Sequence, residues 1–391
     1  MKQMLKENQG IPASLLLTMA VVSGLTVANL YYNQPLLEEM RADFAAGEVE
    51  ANLITVITQV GYACGLLFIV PMADMFARRK IVGVSMTLAA VMAALIAVAP
   101  ALGVVQVASL VLGVCSVIPQ VFIPVAGQFS KPADKSRNIG IVLSGLLTGI
   151  LGARVVSGYV GEWIGWRGMY GLAAVLMAVC LVLSLRVLPP MPVTFHGSYG
   201  GLMKSVCRLF VTRPRMRLYA VRAAFAFGSM LSVWSCLAFH LAGEPFHAGS
   251  DKVGLLGLCG VMGALVASGT GKFVPVLGIR RMSLYGSVLQ LLSWLIAYVW
   301  GDTYVGLVLA ILLLDIGMQL LQLSNQSGCL QEVPHASSRA NTIFMTLYFI
   351  GGSVGTFCSG LGWEHFGWAG VCSVGAGFAL VSMLVSCADR Q

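Results

Sequence analysis

Residues 81–130 read IVGVSMTLAAVMAALIAVAPALGVVQVASLVLGVCSVIPQVFIPVAGQFS, fifty residues without an Asp, Glu, Lys, Arg or His. A helix rises 1.5 Å per residue, so about 20 apolar residues cross the hydrocarbon core of a bilayer. This stretch is long enough for two crossings and a tight turn. Backbone groups in lipid must be satisfied internally, which makes such runs helices. Strands of an outer-membrane barrel would alternate polar and apolar residues, and these do not.

Working outward, residues 51–73 and 340–363 are likewise free of charge. Over the chain 58% of residues are apolar and 10% charged, where a water-soluble domain carries about 25% charged residues. Mean hydropathy is +0.85. So little polar surface cannot cover a core in water, and the chain reads as an all-α polytopic membrane protein. Twelve transmembrane helices are expected, at 11–34, 51–73, 81–100, 103–126, 139–160, 168–188, 219–242, 253–275, 282–300, 304–327, 341–361 and 369–388. The first follows a short Lys-containing head and is longer than a signal-peptide core, so an uncleaved helix is expected. The ten cysteines, Cys64, Cys115, Cys236 and Cys372 among them, fall mostly inside spans without metal-ligand spacing and read as small apolar residues.

Loop charges orient the spans. One side carries Lys2, Lys6, Arg78, Arg79, Lys80, Lys131, Lys135, Arg137, Lys204, Arg208, Arg213, Arg215, Arg217, Arg280, Arg281, Arg339 and Arg390. The other carries only Arg41, Arg167 and Lys252, together with most of the loop acids. Seventeen cations against three predict that the first side is cytoplasmic, with both termini on it, in a bacterial inner membrane. The net charge of +8 is thus spent on topology, and no nucleic-acid partner is expected. The loop after the sixth span begins Pro189-Pro190-Met191-Pro192, which cannot continue a helix. Its middle, 201–211, mixes apolar residues with Lys204 and Arg208 and suits an amphipathic helix on the membrane surface. The expected organisation is a bundle over 1–188, a linker over 189–217 and a second bundle over 218–391.

A shift of 202 residues lays one half on the other. Pro132, Ser136, Arg137, Ile141, Gly149, Ser157, Gly158, Glu162, Gly165, Trp166 and Gly168 meet Pro334, Ser338, Arg339, Ile343, Gly351, Ser359, Gly360, Glu364, Gly367, Trp368 and Gly370. The same shift places Arg78-Arg79 on Arg280-Arg281 and Gln120 on Gln322. Matched Pro, Arg, Glu and Trp are not explained by apolar composition. Six spans per copy keep the orientation, so the two six-helix repeats are parallel. That arrangement suits alternating access, with a site between the halves near the membrane midplane.

These features resemble the major facilitator superfamily over essentially the whole chain. Its loop motif between spans two and three is approximated by Val70-Pro71-Met72-Ala73-Asp74-Met75-Phe76-Ala77-Arg78-Arg79, which keeps Asp74, Arg78 and Arg79 but lacks both glycines. The second copy keeps its glycines, Arg280 and Arg281, with Pro275 where an acid is common. The resemblance implies a gate at the cytoplasmic end, in which Asp74 and the arginines latch one conformation through charge and helix-dipole contacts. Residues 29–37, NLYYNQPLL, and the region from Asp315 to Asn325 with Gly351-Gly352 resemble an efflux subgroup. Family drug exporters often carry an Arg four residues before a Gly in span four. Here that position is Ser109, before Gly113.

A charge in the hydrocarbon core costs about 2.5–3.5 kcal/mol on insertion scales, so intramembrane charges are candidates for function. Asp315 lies near the midplane of span ten and shares a helix face with Gln319 and Gln322. It is the proton-coupling candidate; a fixed acid, hydrogen-bonded or paired, is the structural alternative. Arg154 in span five would bind an anionic group or pair with an acid, or else snorkel outward. Arg222, close to a span end, is expected to snorkel, and His240 to be interfacial. Spans one, four, seven and ten line the cavity in the family, which implies Asn29, Tyr32, Gln120 and Trp234 as cavity residues beside Asp315. Gly145, Gly149 and Gly152 are expected to let span five pack closely.

The resulting expectation is secondary active export of a small organic molecule in exchange for protons, by a monomer without metal or cofactor. The alternative is an importer, symporter or facilitator of a polar metabolite. A membrane enzyme or sensor ranks below both. The chain has no His-Glu-x-x-His and no phosphate loop, since Phe273 follows Gly271-Lys272.

Overall fold

The computed structural model describes residues 4–191, 197–333 and 336–389; the side chains of Asp74, Ser136, Ser337 and residues 261–276 lie outside the described residues. All regular structure in the described residues is helical. The first crossing is built from α1 (Ala13–Ala28) and α2 (Asn33–Asp43), separated by turned backbone at 29–32. Next come α3 (Glu48–Met75), α4 (Arg78–Ala97), and α5 (Leu102–Cys115) continued by α6 (Ile118–Phe129). The very long α7 (Lys135–Val187) leads to α8 (Tyr199–Thr212). The second half holds α9 (Pro214–Ala242), α10 (Ser250–Leu256), α11 (Gly260–Trp300), α12 (Tyr304–Gln331) and α13 (Ser337–Ala388).

Three helices hold two crossings each. Gly165 in α7 has φ +74°, Gly278 in α11 has φ +79° and Gly367 in α13 has φ +57°. A residue with a Cβ enters this region at a cost, so glycine folds the chain back within a single position. Several-residue loops are expected from sequence at these places; one glycine suffices. Gly165 and Gly367 are repeat mates, and the mate of Gly278 is Phe76, the extended residue between α3 and α4. Among the described residues nine helical stretches are long and apolar enough to cross a membrane. Dividing Pro132–Val187 and Ser338–Ala388 at their glycines, and adding the crossing formed by α10 and α11 up to Gly278, gives the twelve. Val305, Phe366 and Val98 are over 70% exposed, as expected where lipid is the solvent.

The two halves repeat their packing. A Cβ on Gly149 would run into the backbone of Gly24, and one on Gly351 into that of Ala224, so span five lies tightly on span one and span eleven on span seven. Gly152 meets nothing within 4 Å and does not share this role. Leu5 N–H donates to Pro190 O at 3.3 Å, which places the chain start beside the linker. Asp389 lies 2.7 Å from Arg222 near the start of α9. The two ends of the described chain and α8 therefore share one face of the bundle, called here the terminal face. Helix α8 buries Leu202 and Val206 and leaves Lys204 and Arg208 exposed. Its Tyr199 hydroxyl donates to Phe68 O at 3.1 Å, and Ser205 Oγ accepts from Arg339 Nη1 at 3.0 Å, so α8 touches both halves.

Direct hydrogen bonds between the halves concentrate toward the opposite face. Asn52 Nδ2 donates to Thr356 O at 2.8 Å, and Ser250 Oγ to Gly158 O at 2.9 Å. Glycines make both seams possible: Gly158 faces Ser250 and Gly254, and its repeat mate Gly360 faces Asn52.

Two residues differ from expectation. Arg222 does not snorkel: it is fully buried, with Nη1 on Ser283 Oγ (3.1 Å) and Asn325 Oδ1 (3.2 Å) and Nη2 on Asp389 Oδ2 (2.7 Å). Its reach toward the terminal face is taken up by Asp389 instead of water. His240 is also buried, its ring stacked on Trp368 at 4.0 Å and its Nε2 3.0 Å from Gly301 O.

Candidate transport cavity

Asp315 is the twelfth residue of α12, about 17 Å along the helix axis at 1.5 Å per residue. It opens onto a cavity of about 110 Å³ between the halves. That is below the ~150 Å³ of an engineered cavity that holds benzene, so any larger molecule requires the halves to move apart. Asp315 is 3% exposed, and neither carboxylate oxygen has a hydrogen-bond partner among the described residues. An unpartnered acid at this depth is costly.

Arg154 faces the same cavity from α7 and is 1% exposed. Outward snorkelling is thereby replaced by inward burial. Its Nε donates to Gln34 Oε1 at 2.7 Å. Its guanidinium carbon lies 3.9 Å from the ring centroid of Trp234 and 4.9 Å from that of Tyr31. Cation–π contacts with both rings offset part of the burial cost. One ring comes from each half, so the guanidinium sits in the interface itself. Its Nη2 has no hydrogen-bond partner among the described residues.

Gln120, Gln319 and Gln322 complete the polar lining. Gln322 Oε1 accepts from Tyr348 hydroxyl at 3.0 Å. The rest of the wall is apolar and aromatic. Phe227 stacks on Tyr348 at 3.8 Å, and Phe349 packs on Tyr62 at 4.5 Å. Met230, Met318 and Met345 supply flexible, polarisable surface.

Of the residues expected at the cavity, Gln120, Arg154, Asp315, Gln319 and Gln322 come together there. Trp234 is fully buried behind Arg154 and does not line the space. Asn29 and Tyr32 do not line it either. Asn29 Nδ2 donates to Ser116 Oγ and Met177 Sδ, both at 3.3 Å, inside the first half. The helical face of α1 is carried into the cavity by Val27 and Tyr31, four residues apart. Tyr32 lies about 100° further round and is buried in the first half. The aromatics of spans two, seven and eleven were not anticipated, because an aromatic in an apolar helix carries no mark of the face it occupies.

The arginines of the gate motif contact helix ends and a neighbouring amide. The side chain of Asp74 lies outside the described residues. Arg78 is 5% exposed and its Nη2 donates to Gln128 Oε1 at 3.1 Å. Arg79 Nη2 donates to Leu185 O at 2.6 Å. In the second half Arg280 donates to Ser386 O and Cys387 O, at 3.3 and 3.2 Å. Arg281 is exposed. Arg79 and Arg280 thus cap the carbonyl ends of spans six and twelve, each within its own half, where the helix dipole favours a cation.

The all-helical, membrane-spanning fold agrees with the comparison with known proteins. The sequence profile of the Major Facilitator Superfamily matches residues 16–356. The chain belongs to that superfamily. It is 37% identical to the transporter YgaY of Escherichia coli O157:H7 over 383 residues, 98% of this chain and 97% of that one. It is 30% identical to the transporter SCO4007 of Streptomyces coelicolor over 371 residues, 94% of this chain and 86% of that one. The solved structure of the nucleoside transporter NupG superposes with a TM-score of 0.73 at 17% identity, covering 96% of this chain and 98% of NupG. At that identity the likeness concerns the fold. The protein is a multi-pass membrane transporter of the Major Facilitator Superfamily. Where the superfamily's drug exporters often carry an Arg in span four, Ser109 is buried here, and the cavity receives its guanidinium from span five instead.

Proposed function

We propose that the protein is a secondary active transporter that exports small organic molecules in exchange for protons, by alternating access. Asp315 carries the proton. Residues 1–188 and 218–391 rock against each other about the cavity, and the linker over 189–217 joins them. The observation that carries this reading is the Asp315 carboxylate, buried in the cavity with neither oxygen partnered among the described residues. Such a group accepts a proton or a ligand donor without first breaking a protein contact, and the two compete for it. Competition of this kind is what exchange requires. The mainly apolar and aromatic wall favours amphipathic molecules. A polar metabolite would leave much of its surface unmatched there.

The excess of loop cations on the terminal face supports a cytoplasmic location for that face and for both termini, in the inner membrane of a bacterium, with the chain acting as a monomer. The inter-half hydrogen bonds toward the opposite face then correspond to the form closed toward the outside. The test is transport by the purified chain in proteoliposomes with an imposed pH gradient. Asp315→Asn is expected to abolish acceleration by the gradient while the protein still folds and still exchanges solute across equal pH. Gradient-driven transport that survives in the variant would remove Asp315 from the coupling. Accumulation in the same direction as proton flow would overturn export.

A further inference from the structure

Arg154 and Asp315 line one cavity from different halves, yet no hydrogen bond joins them. We infer that the transported molecule is zwitterionic, with an anionic group such as a carboxylate seated on Arg154 and an ammonium group seated on Asp315. The inference rests on the proposed function for the identity of the site and goes on to the chemistry of the ligand.

Arg154 is immobilised before any ligand arrives. Its Nε is held by Gln34, and the rings of Trp234 and Tyr31 pack against it. What remains is the Nη edge, including a buried Nη2 without a partner among the described residues. A guanidinium fork presented edge-on matches a carboxylate in bidentate fashion. Asp315 offers two buried acceptor oxygens to which no described residue donates, the complement of an ammonium group with its three donors.

A ligand carrying a single charge meets a penalty at this site. An amine alone would place its charge in the field of Arg154 and leave that guanidinium unpaired. A carboxylate alone would do the same to ionised Asp315. A neutral molecule would leave Asp315 and the Nη edge of Arg154 attracting each other only across the cavity, with no direct hydrogen-bond partner for either among the described residues, which is expensive in a site of low polarity. Only a molecule with both signs satisfies both groups, and it would bridge the halves, since α7 and α12 belong to different ones. The sign of coupling agrees. An ammonium group and a proton exclude each other at Asp315, as exchange requires. A lone anion would bind best with Asp315 protonated and would travel with the proton.

The test uses the full chain in lipid nanodiscs and two matched sets of compounds. One set is leucine, leucinamide and 4-methylpentanoate; the other is phenylalanine, phenylalaninamide and 3-phenylpropionate. Each set offers a zwitterion, a cation and an anion on one apolar frame. Calorimetric titration is expected to show the zwitterion binding at least about tenfold tighter than either single ion in one or both sets. Arg154→Gln is expected to erase the preference over the amide, and Asp315→Asn the preference over the acid. A pH dye in the same samples reads the proton. Equal affinity for zwitterion and cation, with proton release on binding intact, overturns the inference and leaves the proposed exchange standing. Zwitterion preference without proton release supports the inference and overturns the exchange at Asp315. Failure of all six compounds to bind overturns the inference. The comparison among ligands on the unaltered chain decides even where a variant fails to fold.

Discussion

Replacing Gly158 with Ala tests how tightly the halves close on the face opposite the termini. An added Cβ would lie 2.5 Å from Ser250 O and 3.0 Å from Gly254 Cα. Both contacts are to backbone, which cannot swing aside as a flexible side chain does. Heavy atoms pack best at about 3.5–4.0 Å, so spans five and eight must separate by about 1 Å. Overpacking of this kind costs about 1–3 kcal/mol. In an alternating-access protein the penalty falls on the conformer in which the two helices touch, so the population should move toward the form open on that face. One to three kcal/mol corresponds to a shift of about 5- to 150-fold. Hydrogen exchange read by mass spectrometry is the assay, with faster exchange expected at 48–56 and 250–258. Gly152→Ala, in the same span, is the control, because a Cβ there meets nothing within 4 Å; it should be neutral or mildly stabilising, since Ala is the better helix former by about 1 kcal/mol. If the two variants exchange alike and melt at the same temperature as the parent, the seam is not the contact that holds the closed form.

Two further outcomes concern stability. Asp389→Ala should leave Arg222, fully buried, without its 2.7 Å ion-pair partner; a loss of about 3–5 kcal/mol is expected in detergent unfolding, and Arg222→Met combined with Asp389→Ala should recover much of it. Gly165→Ala should cost about 1–3 kcal/mol through backbone conformation alone, because φ is +74° and no atom lies within 4 Å of the new Cβ; a melting temperature equal to the parent's would mean the chain turns back there without strain.

The membrane-spanning character, the span positions and the duplication were legible in the residues. Uncharged runs of twenty or more leave the backbone no alternative to helix in lipid, and counting along a helix at 1.5 Å per residue sets the depth of Asp315 without any tertiary information. The pairing of Gly165 with Gly367 was visible as an identity in the repeat, although the positive φ that explains it was not. Which residues face the cavity was far less legible. In water a polar face marks the outside of a helix; in lipid the buried and lipid-facing sides are both apolar, so periodicity loses its contrast. On span one Tyr31 continues the face of Val27 and enters the cavity, whereas Tyr32, one position on, does not.

From sequence alone follow the bilayer as solvent, twelve crossings, two parallel copies and a carboxyl at mid-depth, because each depends on composition and on distance along one chain. Tertiary structure decided that Arg154 turns inward between Tyr31 and Trp234, that Arg222 finds Asp389, 167 positions away, and that Arg79 and Arg280 cap helices of their own halves. Each of these depends on which helix lies beside which and at what rotation. Side chains far apart in the chain set that rotation by packing together, and no local pattern records it.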